Sequence, residues 1–155
     1  MDDPEKIAFK NRLKRWALVL IGQRITASRE AIDQAQQSAN SEEKSSAGDK
    51  YETGRAMGHL QKDMHSRQLA ESIKELAALH AINIGILYPH GTAGAYVRAE
   101  GVDLFIIAGL GKQVVEGRLI FFLSPQAPLA KMLQDKKAGD HVVFNGQSHS
   151  ILEVF

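Results

Sequence analysis

Four carboxylates, Glu42, Glu43, Asp49 and Glu52, crowd one short stretch of this chain. The stretch runs from Asn40 to Glu52 and reads Asn-Ser-Glu-Glu-Lys-Ser-Ser-Ala-Gly-Asp-Lys-Tyr-Glu, an acidic and serine-rich break between two long helical patterns. Two uses are open to such acids. Asp49, with Glu52 three residues on, matches a capping box, in which the aspartate accepts from first-turn amides and the glutamate reaches back. Held free at the apex of a helical pair, the same carboxylates are hard oxygen ligands for a cation. The uses compete, because an acid committed to backbone amides is a poorer ligand.

The flanking segments must position these acids. From about Glu5 to Ala39 there is no proline and a single glycine, Gly22, and apolar residues recur at Leu18, Ile21, Ile25, Ile32, Ala35 and Ala39. Those steps predict one apolar seam on a helix, and Phe9, Leu13, Trp16 and Leu20 supply a second register nearer the N-terminus, where the helix would meet other structure. Thirty-five helical residues would span about 50 Å, more than the core of a small domain requires. A second helix is expected from Asp49 or Lys50 to about His80, with Met57, Leu60 and Met64 on one face, then Leu69, Ile73 and Leu76 after a slip in register. Two helices of matching length joined by a short break most simply form an antiparallel coiled-coil hairpin. Small residues near the break (Ala35, Ala39, Ala47, Gly54, Ala56) predict a thin tip.

After Ala81 the pattern changes. Glycines punctuate short apolar runs at Tyr96-Val97, Leu104 to Ala108 and Leu119 to Leu123, which predict strands of a small sheet. Ser124-Pro125 is a helix-start signal, and Leu129, Met132 and Leu133 give that helix an apolar face. Two closing strands are expected at Val142 to Asn145 and Ser150 to Val154, around the turn Asn145-Gly146. Seven of the ten aromatic residues lie beyond Ala81, so this half should hold the compact core. The expected organisation is α+β: a coiled-coil hairpin over residues 1–81, with its acidic tip at 40–52, and a sheet-plus-helix domain over 82–155.

Composition narrows the class further. The chain has 155 residues, 44% apolar and 24% charged, and no cysteine, which excludes disulfides and thiolate metal sites. The longest apolar run, Trp16 to Ile21, is too short to span a bilayer, and the acidic N-terminus is unlike a signal peptide; a cytoplasmic protein that binds no membrane is expected. The formal charge of +1 conceals segregation: Lys6 to Arg29 carries seven Lys or Arg residues and no acid. Such a helix either tracks phosphates or an acidic surface, or is simply a solvated amphipathic face. The histidines show no metal-ligand spacing, and Gly109-Leu110-Gly111-Lys112-Gln113 lacks the first glycine and final Ser/Thr of a phosphate loop.

The C-terminal wording carries a resemblance. Glu116-Gly117-Arg118-Leu119-Ile120, then Ser124-Pro125-Gln126-Ala127, then Lys136-Lys137-Ala138-Gly139-Asp140-His141-Val142 occur in that order. With a preceding helical hairpin, this resembles the bacterial GreA/GreB transcript cleavage factors over most of the chain. The resemblance implies a coiled coil followed by an FK506-binding-protein-like (FKBP-like) antiparallel sheet-and-helix domain that docks on RNA polymerase near its secondary channel. The tip would enter that channel, where an Asp and a Glu three residues later help hold a second magnesium ion. The polymerase's own active site then cuts the 3′ end of backtracked RNA, and DNA is involved only indirectly. In this sequence the matching pair is Asp49 and Glu52, with Glu42 and Glu43 as secondary candidates, and Arg24, Arg29 and Arg55 as a stripe that could neutralise RNA phosphates. The protein would be an accessory factor and not itself an enzyme. Thr53-Gly54-Arg55 after Glu52, and Lys44 and Lys50 among the acids, depart from the cleavage factors and leave a non-cleaving channel regulator open. An FKBP-like prolyl isomerase or chaperone, or a plain coiled-coil adaptor, are readings of other classes.

Overall fold

A computed structural model describes residues 1–43 and 48–155, and the side chains at 42–51 lie outside that description. It is an α+β protein that divides into two compact units, one of Met1–Leu18 with Ala78–Phe155, the other of Val19–Ala77. The sheet-bearing unit therefore takes in the start of the first helix. That helix, α1 (Asp3–Glu43), is followed by α2 (Gly48–Ala81). Both run further into the Asn40–Glu52 stretch than expected, α1 through Glu43 and α2 from Gly48. Glutamate is a good helix former, and neither glycine nor proline occurs between Gly22 and Gly48 to stop α1.

In the Val19–Ala77 unit, the least exposed positions of α1 are Ile21, Ile25, Ser28, Ile32, Ala35 and Ala39. On α2 they are Gly58, Lys62, His65, Leu69, Ser72 and Leu76. Both sets step by four and three alternately, a 3.5-residue period that keeps one seam facing a partner helix. Three contacts run in opposite senses along the chain: Arg24 with Glu75 at 3.6 Å, Gln36 with Lys62 at 2.9 Å, and Ala39 against Gly58. At Gly58 a Cβ would lie 3.2 Å from the Ala39 Cβ, so the two backbones approach closely there. The expected α2 face is corrected. Met57, Leu60 and Met64 are 54%, 68% and 49% exposed and Ile73 is 45% exposed, while Gly58, Lys62, His65 and Ser72 share the inward positions with the expected Leu69 and Leu76. Gly58 sits inward because the Ala39 Cβ leaves no room for a larger side chain there, and Lys62 reaches inward to donate to Gln36 at 2.9 Å, so apolarity alone misplaces part of the face.

In the other unit, six strands form one sheet: β1 (Tyr96–Ala99), β2 (Val102–Ile106), β3 (Gly111–Val115), β4 (Arg118–Leu123), β5 (His141–Phe144) and β6 (Gln147–Val154). Their order is β3-β4-β2-β1-β6-β5. The expected antiparallel sheet is mixed, because β2 and β4 pair in parallel. Leaving β2, the chain runs through the buried residues Ile107, Ala108 and Leu110 and lays β3 one place beyond its neighbour. The two-residue turn Glu116-Gly117 (φ 51° and 74°) then returns β4 into the gap alongside β2. Positive φ at both central residues gives the twist that suits a tight β-hairpin, and Asn145-Gly146 (φ 51° and 75°) repeats the device between β5 and β6.

Alternation gives the sheet two faces. On one, Tyr96, Phe105 and Phe122 pack with Phe155 and with Phe9 of α1, whose ring meets Tyr96 edge-on at 5.2 Å. On the other, Val97, Leu104, Ile106, Val142 and Ile151 form a core with Ala130 and Leu133 of α3 (Pro128–Leu133). Phe121 and Phe122 point to opposite faces, and Phe121 meets Phe144 at 4.8 Å. The expected helix start at Ser124-Pro125 is also corrected. Pro128 forces Ala127 into an extended conformation (φ −63°, ψ 145°), so a helix begun at Pro125 could not continue through it. Ser124 instead closes a turn, accepting from the Ala127 amide at 2.9 Å, and Pro128 takes the first helical turn.

Candidate functional site

The acidic pair is placed by α2. Because that helix begins at Gly48, Asp49 and Glu52 both lie within its opening turns. Positions three apart share one face of a helix, so the register puts both acids on one side. Glu52 is exposed. The side chains of Glu42, Glu43 and Asp49 lie outside the described residues, as does everything between Glu43 and Gly48. Among the described residues no group of three or more His, Asp or Glu side chains gathers as a metal site.

The basic stretch looks different once its partners are known. Lys6 pairs with Glu153 at 2.7 Å, Arg12 with Glu116 at 2.9 Å and Arg24 with Glu75 at 3.6 Å. Lys10 and Lys14 donate to the backbone carbonyls of Ile86 and Ile82 at 2.9 and 3.0 Å. Five of the seven cations are thus engaged within the fold, and the stretch is chiefly an anchoring surface. Of the three arginines proposed to meet phosphate, Arg24 lies beside Arg67 and Ser72 in a shallow groove, Arg55 is exposed and engaged by a neighbour, and Arg29 is exposed. Among the described residues Arg29 alone of these three holds no ion pair or hydrogen bond.

Sequence reasoning missed the anchor at Lys10. Its side chain is fully buried, lies over the Tyr88 ring at 4.8 Å from the centroid, and among the described residues pairs with no carboxylate. Burial lowers its pKa to about 8. The signal was present in the spacing, since Lys10 and Lys14 sit one step beyond Phe9 and Leu13 on the buried side of α1. Nearby, Tyr96 donates to Asp103 at 2.6 Å, and burial followed by that bond raises the tyrosine pKa strongly. Glu153 accepts from Lys6 and Arg98, and the Lys6 bond lowers its pKa while raising that of Lys6. This network sits over the aromatic face, and its charges are balanced among themselves.

Among the described residues no helix is long and apolar enough to cross a membrane. No protein-family model matches the chain, and no curated protein matches it.

Proposed function

We propose that the chain is a Gre-like factor, a coiled-coil hairpin joined to an FKBP-like domain, that binds RNA polymerase in the cytoplasm and brings Asp49 and Glu52 to its active centre. The observation that carries this reading is the opposed pairing of α1 and α2. Arg24 with Glu75, Gln36 with Lys62 and Ala39 with Gly58 step towards the acidic stretch, which supports reading the acids as one end of a narrow helical pair. The close approach at Gly58 supports a thin end, as entry into a channel requires. The mixed sheet with one short helix, carrying the Glu116-Gly117 turn, the Ser124-Pro125 turn and the Lys136–Asp140 turn in order, supports the resemblance in the remainder.

In this reading Asp49 and Glu52 complete the shell of a magnesium ion shared with the polymerase and not held tightly by this chain alone. The ion would orient water and stabilise an oxygen in the in-line cleavage. Glu42 and Glu43 are the reserve acids, and Arg29 is the cation most available to a phosphate of the RNA 3′ end.

The test is RNA shortening in backtracked complexes. The wild-type protein should shorten the transcript in magnesium, and Asp49→Ala or Glu52→Ala should each cost at least the roughly 10–100-fold that loss of a second-shell metal partner costs. Wild-type shortening in both variants would remove the assignment. A second reading, a channel regulator that does not promote cleavage, is favoured by Lys44, Lys50 and the Thr53-Gly54-Arg55 continuation. It is distinguished by polymerase binding without RNA shortening, whereas full prolyl-isomerase turnover without polymerase would favour the isomerase class.

A further inference from the structure

Close to the acidic stretch, α2 has two faces that could turn towards α1. One is apolar, with Met57, Leu60 and Met64, and it stands exposed. The other carries Gly58, Lys62 and His65, and it is the face turned inward. Burial of apolar surface favours the first face, so specific contacts must select the second. Two are present. Gly58 lets the backbones meet, since a Cβ there would lie 3.2 Å from the Ala39 Cβ. Lys62 donates to the Gln36 side-chain oxygen at 2.9 Å, and Gln36 donates in turn to Asn40 at 3.1 Å, which holds the acceptor in place. We propose that Lys62 is a positioning residue, whose bond to Gln36 holds α2 in the rotational phase that keeps Asp49 on the side away from α1.

The helical register ties the acid to that phase. Asp49 precedes Leu60 by eleven residues, about three turns, so the two lie on one side of α2. If Met57 and Met64 turned inward, position 49 would be carried round towards α1 with them. One residue more in the helix between Met64 and Leu69 turns the first half of α2 by about 100°, enough to make that exchange, and a single π-bulge supplies it. Leu69 and Leu76 keep their inward places. Without Gln36 the Lys62 ammonium stays inward with its acceptor gone, a cost that is relieved when the apolar face turns in and the lysine turns out to water. What Asp49 does rests on the function proposed above; the phase of α2 does not.

The chain carries its own reporters. Met1, Met57, Met64 and Met132 are all about half exposed, so oxidation by peroxide, read at each methionine by mass spectrometry, follows the phase in the unaltered protein. In the wild type Met57 and Met64 should oxidise as fast as Met132. Gln36→Ala leaves every residue of α2 unchanged and should slow Met57 and Met64 at least about threefold relative to Met132. Exchanging the pair, Gln36→Lys with Lys62→Gln, rebuilds the bond in reverse and should restore the wild-type rates. In backtracked complexes Gln36→Ala should lower the maximal rate of RNA shortening and leave the half-saturating protein concentration unchanged. A wild type that shortens no RNA would remove the proposed function, and the oxidation rates would still decide the phase. Unchanged or faster oxidation of Met57 and Met64 in Gln36→Ala, or an exchanged pair that fails to restore them, would overturn the proposal.

Discussion

Burial without a carboxylate neighbour leaves the Lys10 ammonium with one carbonyl and one aromatic ring, and its pKa falls from 10.5 to about 8. The sign of the consequence follows from proton counting. Between pH 8 and 10.5 the unfolded chain holds a proton at this lysine that the folded chain has released, so stability rises with pH across that window. Lys6 and Tyr96, both raised, act in the opposite sense only near and above pH 10, where their unfolded forms titrate. Denaturation midpoints measured from pH 8 to 10 should rise in the wild type relative to Lys10→Met, in which this contribution is absent. Equal slopes in the two proteins would show that Lys10 is not desolvated. A second residue-scale expectation concerns Gly91, where a Cβ would lie 2.0 Å from the Leu133 carbonyl oxygen. Gly91→Ala should destabilise the sheet-bearing unit by roughly 3 kcal/mol, read by chemical denaturation. The Gly91 contact had no sequence signal, and at Lys10 the only one was its place beside Phe9 on the buried side of α1. A lysine in a basic run reads as solvated and a glycine in a loop reads as a turn, and only the packing of Ile86 and Leu133 reveals otherwise.

At the scale of elements, the seam between α1 and α2 makes the next expectations. Gly58→Leu places a large side chain where the Ala39 Cβ already stands 3.2 Å from a would-be Cβ, and should cost about 1–3 kcal/mol in helical melting. Met57→Gln, Leu60→Gln and Met64→Gln should each change stability by no more than about 0.5 kcal/mol, because those side chains face solvent. A loss as large as that of Gly58→Leu would restore them to the seam. Much of α1 was readable, since Ile21, Ile25, Ile32, Ala35 and Ala39 are at buried or half-buried positions. On α2, Leu69 and Leu76 were readable in the same way, but Gly58, Lys62, His65 and Ser72 carry no apolar signal, so periodicity selected the exposed Met57, Leu60, Met64 and Ile73 instead. Strands β1, β2, β4, β5 and β6 announced themselves through β-branched and aromatic runs. β3 did not, because Gly-Lys-Gln opens it, and its clue was the Glu116-Gly117 turn that must join it to β4. The helix start was misjudged at Ser124-Pro125 because the restriction that Pro128 places on Ala127 outweighs the earlier capping signal.

For the molecule as a whole, the charge pattern that first pointed to a nucleic-acid surface is mostly consumed by the fold, with Glu153, Glu116 and Glu75 answering Lys6, Arg12 and Arg24. A polymerase partner is therefore expected to read the acidic end of the helical pair and the surface of the sheet unit more than a cationic stripe. Arg29→Ala should weaken transcript shortening by a few-fold or less and flatten its salt dependence slightly, as loss of one phosphate contact would. The chain has no cysteine, so a single reporter can be introduced cleanly at Thr53, an exposed residue next to Glu52 that leaves both acids in place. Thr53→Cys carrying a short photocrosslinker, added to a backtracked complex with labelled RNA, should mark the 3′ end of the transcript and the polymerase residues around the catalytic magnesium. Cross-links confined to the polymerase exterior, or none above the level of the unlabelled protein, would contradict delivery of Asp49 and Glu52 to the active centre.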